Sequence, residues 1–171
     1  DYARDERVRA IVMVHPNNPT GTFVRRADAA FVEETAAKLG IALIVDEVFG
    51  DYAHEPLPES RMASFAGRDT ALTFVLSGLS KIIAAPQLKL GWIAVSGPDE
   101  LVNESLSRLE MIADTFLSVN TPVQRALPEL LAARGPIQQA VLARVTGNLS
   151  ILDGAILAEG GTSAVRRLPA D

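Results

Sequence analysis

The sequence predicts an α/β fold in which a mostly parallel sheet is flanked by helices. Short apolar runs rich in β-branched residues recur at 10–14, 41–49, 71–77 and 91–97, each closed by Pro, Gly, Asn or Ser, the pattern of strands buried on both faces. A stretch with helical spacing separates the first two runs, and this strand–helix–strand alternation implies parallel pairing. After Pro98 the apolar residues return every three or four positions, so helices follow the strands. In such sheets ligands sit at the carboxyl ends of the strands.

In order, "AIVMV" (10–14) is the first strand, and it breaks at "HPNNPTG". Arg26 to Leu39 carries Ala30, Phe31, Glu34 and Ala37 at helical spacing, with Gly40 placed to end the helix in a left-handed conformation. "IALIVDEVF" is a second buried strand that runs into two carboxylates, Asp46 and Glu47. The loop "GDYAHEPLPES" is rich in turn residues and long enough to carry function. "ALTFVLS" and "GWIAVSG" give the third and fourth strands. Val102, Leu106, Leu109, Ala113 and Phe116 then form one helical stripe. A second helix is expected from Pro122 to Ala133, broken by "RGP", and a third carries Ile137, Val141, Val145, Leu149, Leu152 and Ile156 on one side. "TSAVRRLP" reads as one more strand.

With 171 residues, the chain is long enough to bury roughly 70% of its unfolded surface. A net charge of −5 argues against a nucleic-acid partner, whose affinity would come from clustered Lys and Arg. Cysteine is absent, which excludes disulfides and thiolate metal sites, and two His offer little for a metal cluster. No apolar run approaches the ~20 residues of a membrane span, so no membrane partner is expected. "DYARDERVRA" is charged throughout and does not read as a secretory signal. The expectation is a piece of a cytoplasmic protein.

The first three strands each end in chemically unusual residues: "HPNNPTG", "DEVF" and "SGLSK". If the strands are parallel, all three sets project from one edge. Taken singly, each has a plain alternative. "NNPTG" serves as a turn, Asp46 as a loop carboxylate, and Lys81 as a surface lysine opening a helix. Jointly the plain alternatives are weak, because three turns would have to coincide at one edge. In order and spacing, "HPNNPTG", "DEVF" and "SGLSK...LKLGW" resemble the pyridoxal-phosphate-dependent aminotransferases of fold type I, class I/II, over most of the chain from Ala10 to Pro169.

The resemblance implies that residues 1–157 are the C-terminal part of the cofactor-binding large domain, and that 158–171 begin a small α+β domain. It implies that Lys81 forms a Schiff base with the cofactor aldehyde and afterwards moves a proton between the substrate Cα and the cofactor C4′. That task needs an amine already in position and neutral near physiological pH. Asp46 would pair with the protonated pyridine nitrogen, and the Asn18 amide would donate to the phenolic oxygen O3′ from a loop stiffened by Pro16 and Pro19. Ser77, Ser80 and Lys89 are the phosphate candidates.

Three positions depart from the family pattern. Lys89 stands where Arg is usual, and supplies a point charge instead of a bidentate fork. Gly78 stands where many members carry Ser. Phe49 replaces a Tyr that gives O3′ a second donor, a loss of about 1.5–3 kcal/mol for a bond to a charged oxygen, so an altered cofactor-linkage pKa is expected. Tyr52 lies nearby but occupies a different position.

Glu47 reads as structural or solvent-facing, and His15 as a packing or hydrogen-bonding residue. Trp92 and the helical stripes read as core, and Arg166 and Arg167 as solvated or interface residues. The family's phosphate cup, its ring-stacking aromatic and its substrate-carboxylate Arg are not in this stretch, so the fragment is not expected to catalyse alone. The resemblance implies an aminotransferase acting on an amino acid and a 2-oxo acid, as a homodimer when whole. A β-lyase or decarboxylase of the same fold, the cofactor-sensing domain of a transcriptional regulator, and a fragment without cofactor are the alternatives.

Overall fold

The computed structural model describes residues 5–54 and 56–158. The expected final strand, with Arg166 and Arg167, and the expected start of a small domain lie outside the described residues. Four strands, β1 (Ala10–Val14), β2 (Ala42–Asp46), β3 (Thr73–Gly78) and β4 (Gly91–Ser96), pair in that order in one sheet. β1, β2 and β3 are parallel, and β4 returns antiparallel against β3. The mostly parallel sheet with flanking helices is the architecture expected from the sequence. β2 is shorter than its apolar run, stopping at Asp46 so that residues 47–49 already turn.

Helix α1 (Arg26–Leu39) crosses one face of the sheet. Asp28 in its first turn and Lys38 in its last suit the helix dipole. Gly40, at φ 64°, closes it: the Ile41 amide donates to Ala36 O at 3.0 Å, a bond that a left-handed residue permits. The inward face, however, is Ala29, Glu33 and Ala36, while Phe31 points to solvent. The face expected from Ala30, Phe31, Glu34 and Ala37 is therefore wrong, rotated by about one residue. The cause is Glu33, whose carboxylate is only 2% exposed and is gripped by both arms of Arg68 (Nη2 to Oε2 at 2.6 Å). A paired charge on the inner face defeats a reading based on polarity.

Two clusters make the core. One packs Ala29, Ala36, Leu43, Val45, Met62, Phe65 and Val75 between α1 and the sheet. The other lies beneath the chain that follows β3, where Leu79, Ile82, Ile83, Ala85 and Leu90 meet Trp92, Val123, Leu127 and Ile137. This second cluster seats helix α2 (Leu79–Ile82), which carries Lys81, against α4 (Thr121–Ala132) and α5 (Arg134–Ala158).

The break between α4 and α5 falls at Ala133 and not at "RGP", because Pro136 sits in the first turn of α5, where no amide is needed for the helix ladder. α3 (Asp99–Thr115) and α5 are less buried than expected of core stripes. Leu106 and Val145 are exposed, as are Leu152 and Phe116, the residue just past α3. Val12 on the sheet's second face is likewise 69% exposed. By length and composition α5 would also suffice to cross a membrane, although Arg144, Asn148 and Asp153 interrupt its apolar sequence.

Candidate active site

The strand register decides where the motifs meet. Val14 pairs with Asp46, and Asp46 with Leu76, so β1, β2 and β3 finish within two residues of one another. Two amides stitch the ends together: His15 N donates to Asp46 O at 2.8 Å and Glu47 N to Leu76 O at 2.9 Å. Gly78 pairs with Gly91 on antiparallel β4, and the Leu79 amide donates to Leu90 O at 3.0 Å. Lys89 therefore reaches the same edge from the opposite direction. The loop after β1, the end of β2, the turn after β3 and the entry to β4 form one rim.

Asn18 is exposed on the first loop, where its side chain makes no hydrogen bond among the described residues. Its neighbour Asn17 is instead tied down, accepting from Thr20 Oγ1 at 2.8 Å. Both prolines of this loop, Pro16 and Pro19, follow cis peptide bonds. Asp46 is half-buried, and its Oδ1 accepts the Val48 amide at 3.0 Å, which leaves Oδ2 free for another donor. Lys81 is half-buried in α2 with Nζ over the Phe49 ring, 5.3 Å from its centroid, a cation–π arrangement. Ser77 and Ser80 are partly accessible on either side of Leu79. Lys89 is exposed and left-handed, with φ 54° and ψ 41°.

Gly78 has a structural reason to be glycine. A Cβ there would come within 2.8 Å of both Gly91 Cα and Leu90 O, far inside a van der Waals contact. The hydroxyl that a serine would offer has no room between β3 and β4.

Behind Lys81 lies a cavity of about 370 Å³, walled by Phe49, Tyr52, His54, Ser80 and Ala84, and by Val141, Leu142 and Val145 of α5. Sequence reasoning did not find Tyr52, His54 or the α5 residues as neighbours of Lys81. The turn-rich loop 50–60 was the only signal, and it gave no partner. Tyr52 Oη donates to the Lys81 carbonyl. Burial, reinforced by the Asp51 carboxylate, pushes the Tyr52 phenol up, so it stays a donor through neutral pH.

The neighbours of the site are structural, as expected. His15 is fully buried and edge-on to Phe23 and Phe65; its Nδ1 faces the Val24 amide at 3.3 Å and its Nε2 has no partner among the described residues. Burial pushes its pKa down. Glu47 turns inward, accepting from Ser64 Oγ and the Phe65 amide at 2.7 Å each. Burial pushes its carboxyl up, opposed by those two bonds.

The donor set fits pyridoxal phosphate. One amine faces a cavity, one carboxylate has an open oxygen, one amide side chain is unengaged, and two hydroxyls and a cation stand on the same rim. Comparison with known proteins gives the family. The family model for aminotransferase class I and II matches residues 1–149. The chain belongs to that family. Alanine aminotransferase of Mycobacterium tuberculosis is 30% identical over 137 residues, covering 80% of this chain and 32% of the relative. An S-alkyl-thiohydroximate lyase of Arabidopsis thaliana is 36% identical over 129 residues, covering 74% of this chain and 28% of the relative.

Among solved structures, alanine aminotransferase from Pyrococcus furiosus aligns with a TM-score of 0.65 at 25% identity, over 84% of this chain and 36% of that one. Tyrosine aminotransferase from Leishmania infantum gives 0.72 at 21% identity, over 84% and 38%, a likeness of fold. The chain thus spans about a third of the length of the relatives it matches.

Proposed function

We propose that the full-length protein is a pyridoxal-phosphate-dependent aminotransferase that exchanges the amino group of an amino acid with a 2-oxo acid, with Lys81 as its covalent anchor. The observation that carries this reading is the common rim, on which Asn18, Asp46, Lys81 and Lys89 arrive from four separate segments. When bound, pyridoxal phosphate supplies an electron sink for negative charge at the amino-acid Cα.

The protein's own residues do the rest. Asp46, through its open oxygen, would keep a proton on the ring nitrogen. Asn18 would donate to O3′. Lys89, with Ser77 and Ser80, would hold the phosphate by charge and hydroxyl donors. Lys81 would anchor the cofactor and, with its amine free, would take the Cα proton and return it at C4′; its fixed place would make that transfer effectively intramolecular. A homodimer and a cytoplasmic location belong to the same proposal.

The test uses the full-length protein saturated with pyridoxal phosphate and reduced with borohydride, with the adduct located by peptide mass. An adduct on Lys81 is expected; one on another residue, or none, overturns the reading. Asp46→Ala should weaken cofactor retention and slow Cα proton abstraction by about ten- to a hundred-fold, the worth of a charge-assisted bond. A β-lyase is the second reading, favoured by the lyase relative at 36% identity, and it would use the same Lys81 and Asp46. Product analysis separates the two. Amino-group exchange yielding a 2-oxo acid supports transfer, while release of ammonia with pyruvate supports elimination.

A further inference from the structure

Lys81 sits on α2, a helix of four residues with no side-chain cap. A helix so short has no stability of its own, and a long flexible amine on it would sample many positions. Yet proton transfer by a lysine requires the amine to be in place before the reaction. Something outside α2 must therefore fix it.

The turn Gly50–Tyr52 and helix α5 supply that restraint. Tyr52 Oη donates to the Lys81 carbonyl, which also accepts the Ala84 amide at 3.1 Å. Gln138 Nε2 of α5 donates both to Ile82 O at 3.1 Å and to Asp51 Oδ2 at 2.8 Å, and Arg134 pairs with Asp51 Oδ1. Asp51 is thereby held from two sides, and the residue after it holds Lys81. Three residues before Tyr52, Phe49 presents its ring to Lys81 Nζ. One short segment thus touches the lysine at both ends, its carbonyl through a phenol and its amine through a ring. The separation of 29 positions between Tyr52 and Lys81 makes this tertiary and not local.

We propose that Tyr52, braced by Asp51, Arg134 and Gln138, is a positioning residue for Lys81, locking the backbone of α2 so that the amine stays over Phe49 at the cavity mouth. The inference rests on the reading of Lys81 as the reacting amine. Because the Lys81 carbonyl keeps the Ala84 amide, Tyr52→Phe removes one bond without leaving an unsatisfied acceptor, and the fold should survive.

Two measurements on the full-length protein test it. Without cofactor, hydrogen exchange at the amides of Ile83, Ala84 and Ala85, which all bond back into α2, should quicken about three- to ten-fold in Tyr52→Phe, the worth of one hydrogen bond. With cofactor, kcat should fall by a similar factor while KM holds, since substrate binding is not touched. Gln138→Met, close in shape, should reproduce both effects more weakly and serves if Tyr52→Phe fails to fold. Faster exchange with unchanged kcat would make the bond purely structural and overturn the proposal; so would no change in either. Failure of the Lys81 reading itself shows separately, as the absence of a borohydride adduct on Lys81 in the parent protein.

Discussion

Gly78→Ser tests whether the departure at this position is a lost ligand or a packing requirement. A Cβ at Gly78 would stand 2.8 Å from Gly91 Cα and from Leu90 O, both backbone atoms. An ordinary carbon contact needs about 3.5 Å, so β4 must retreat by roughly 0.7 Å. That movement strains the β3–β4 ladder and the 3.0 Å bond from the Leu79 amide to Leu90 O. Overpacking costs about 1–3 kcal/mol, and one weakened hydrogen bond about 1 kcal/mol. Together these place the loss at about 2–4 kcal/mol, read as a lower urea midpoint of the full-length protein with an unchanged slope. Gly78→Ala should cost the same, because Cβ and not the hydroxyl does the damage. Gly91→Ala meets only Ser77 O, at 3.1 Å, and should cost less. Cofactor retention after dialysis should fall in Gly78→Ser, since Leu90 carries Lys89 with it when it moves. A Gly78→Ser protein of parental stability that retains cofactor better than Gly78→Ala would refute the packing argument and restore the hydroxyl.

The Glu33–Arg68 pair should respond unequally to its two truncations. Arg68→Ala strands a carboxylate that is 2% exposed, at about 3–5 kcal/mol, whereas Glu33→Ala frees a guanidinium whose side chain is already 36% exposed, and urea denaturation should show a smaller loss. His15 and Glu47 should bend the pH dependence of stability in opposite senses. His15 has a folded pKa below its ordinary value, so the unfolded chain binds more protons and stability falls as pH drops below about 6.5; His15→Asn, which keeps an acceptor near Val24, should flatten that limb. Glu47 has a folded pKa above its ordinary value, so the folded chain binds more protons and stability falls as pH rises from about 4.5. Glu47→Gln should remove this slope, and denaturation midpoints across pH 4 to 8 would read both effects.

The strands and their ends were legible in the sequence because buried β-structure writes itself as β-branched runs closed by Pro, Gly and Asn. Once the runs were parallel, Asn18, Asp46 and Lys81 had to share an edge, and the register Val14–Asp46–Leu76 delivers them there. α1 was found at its correct length but turned about its axis, because Glu33 is an inward charge whose partner lies 35 residues away. No local pattern announces Arg68. The same limit hid Tyr52, whose role depends on a carbonyl 29 residues later, and Gln138, whose two acceptors lie in two different segments. The α3 and α5 stripes were read correctly as apolar, but among the described residues only Ile137 of them packs against a core cluster, while Leu106, Val145 and Leu152 are exposed. Periodicity reports which face wants cover and not what covers it.

Lys89 allows charge and conformation to be separated in one position. It is left-handed, at φ 54°, a conformation that costs a residue with a Cβ about 1–2 kcal/mol and costs glycine little. Ala84, at φ 53°, is left-handed too, so the return from Lys81 to β4 is bracketed by two unfavourable residues. Strain kept at such a place argues that the path is needed, here to turn the chain so that residue 89 faces the rim it shares with Lys81. Lys89→Gly relieves the backbone and deletes the ammonium. If Lys89 holds the phosphate, this variant should gain up to about 1 kcal/mol in urea while losing cofactor on dialysis. Lys89→Arg should keep both the strain and the cofactor, and bind it more tightly through its bidentate fork. A Lys89→Gly protein that is more stable and retains cofactor as well as its parent would show the residue to be only a turn.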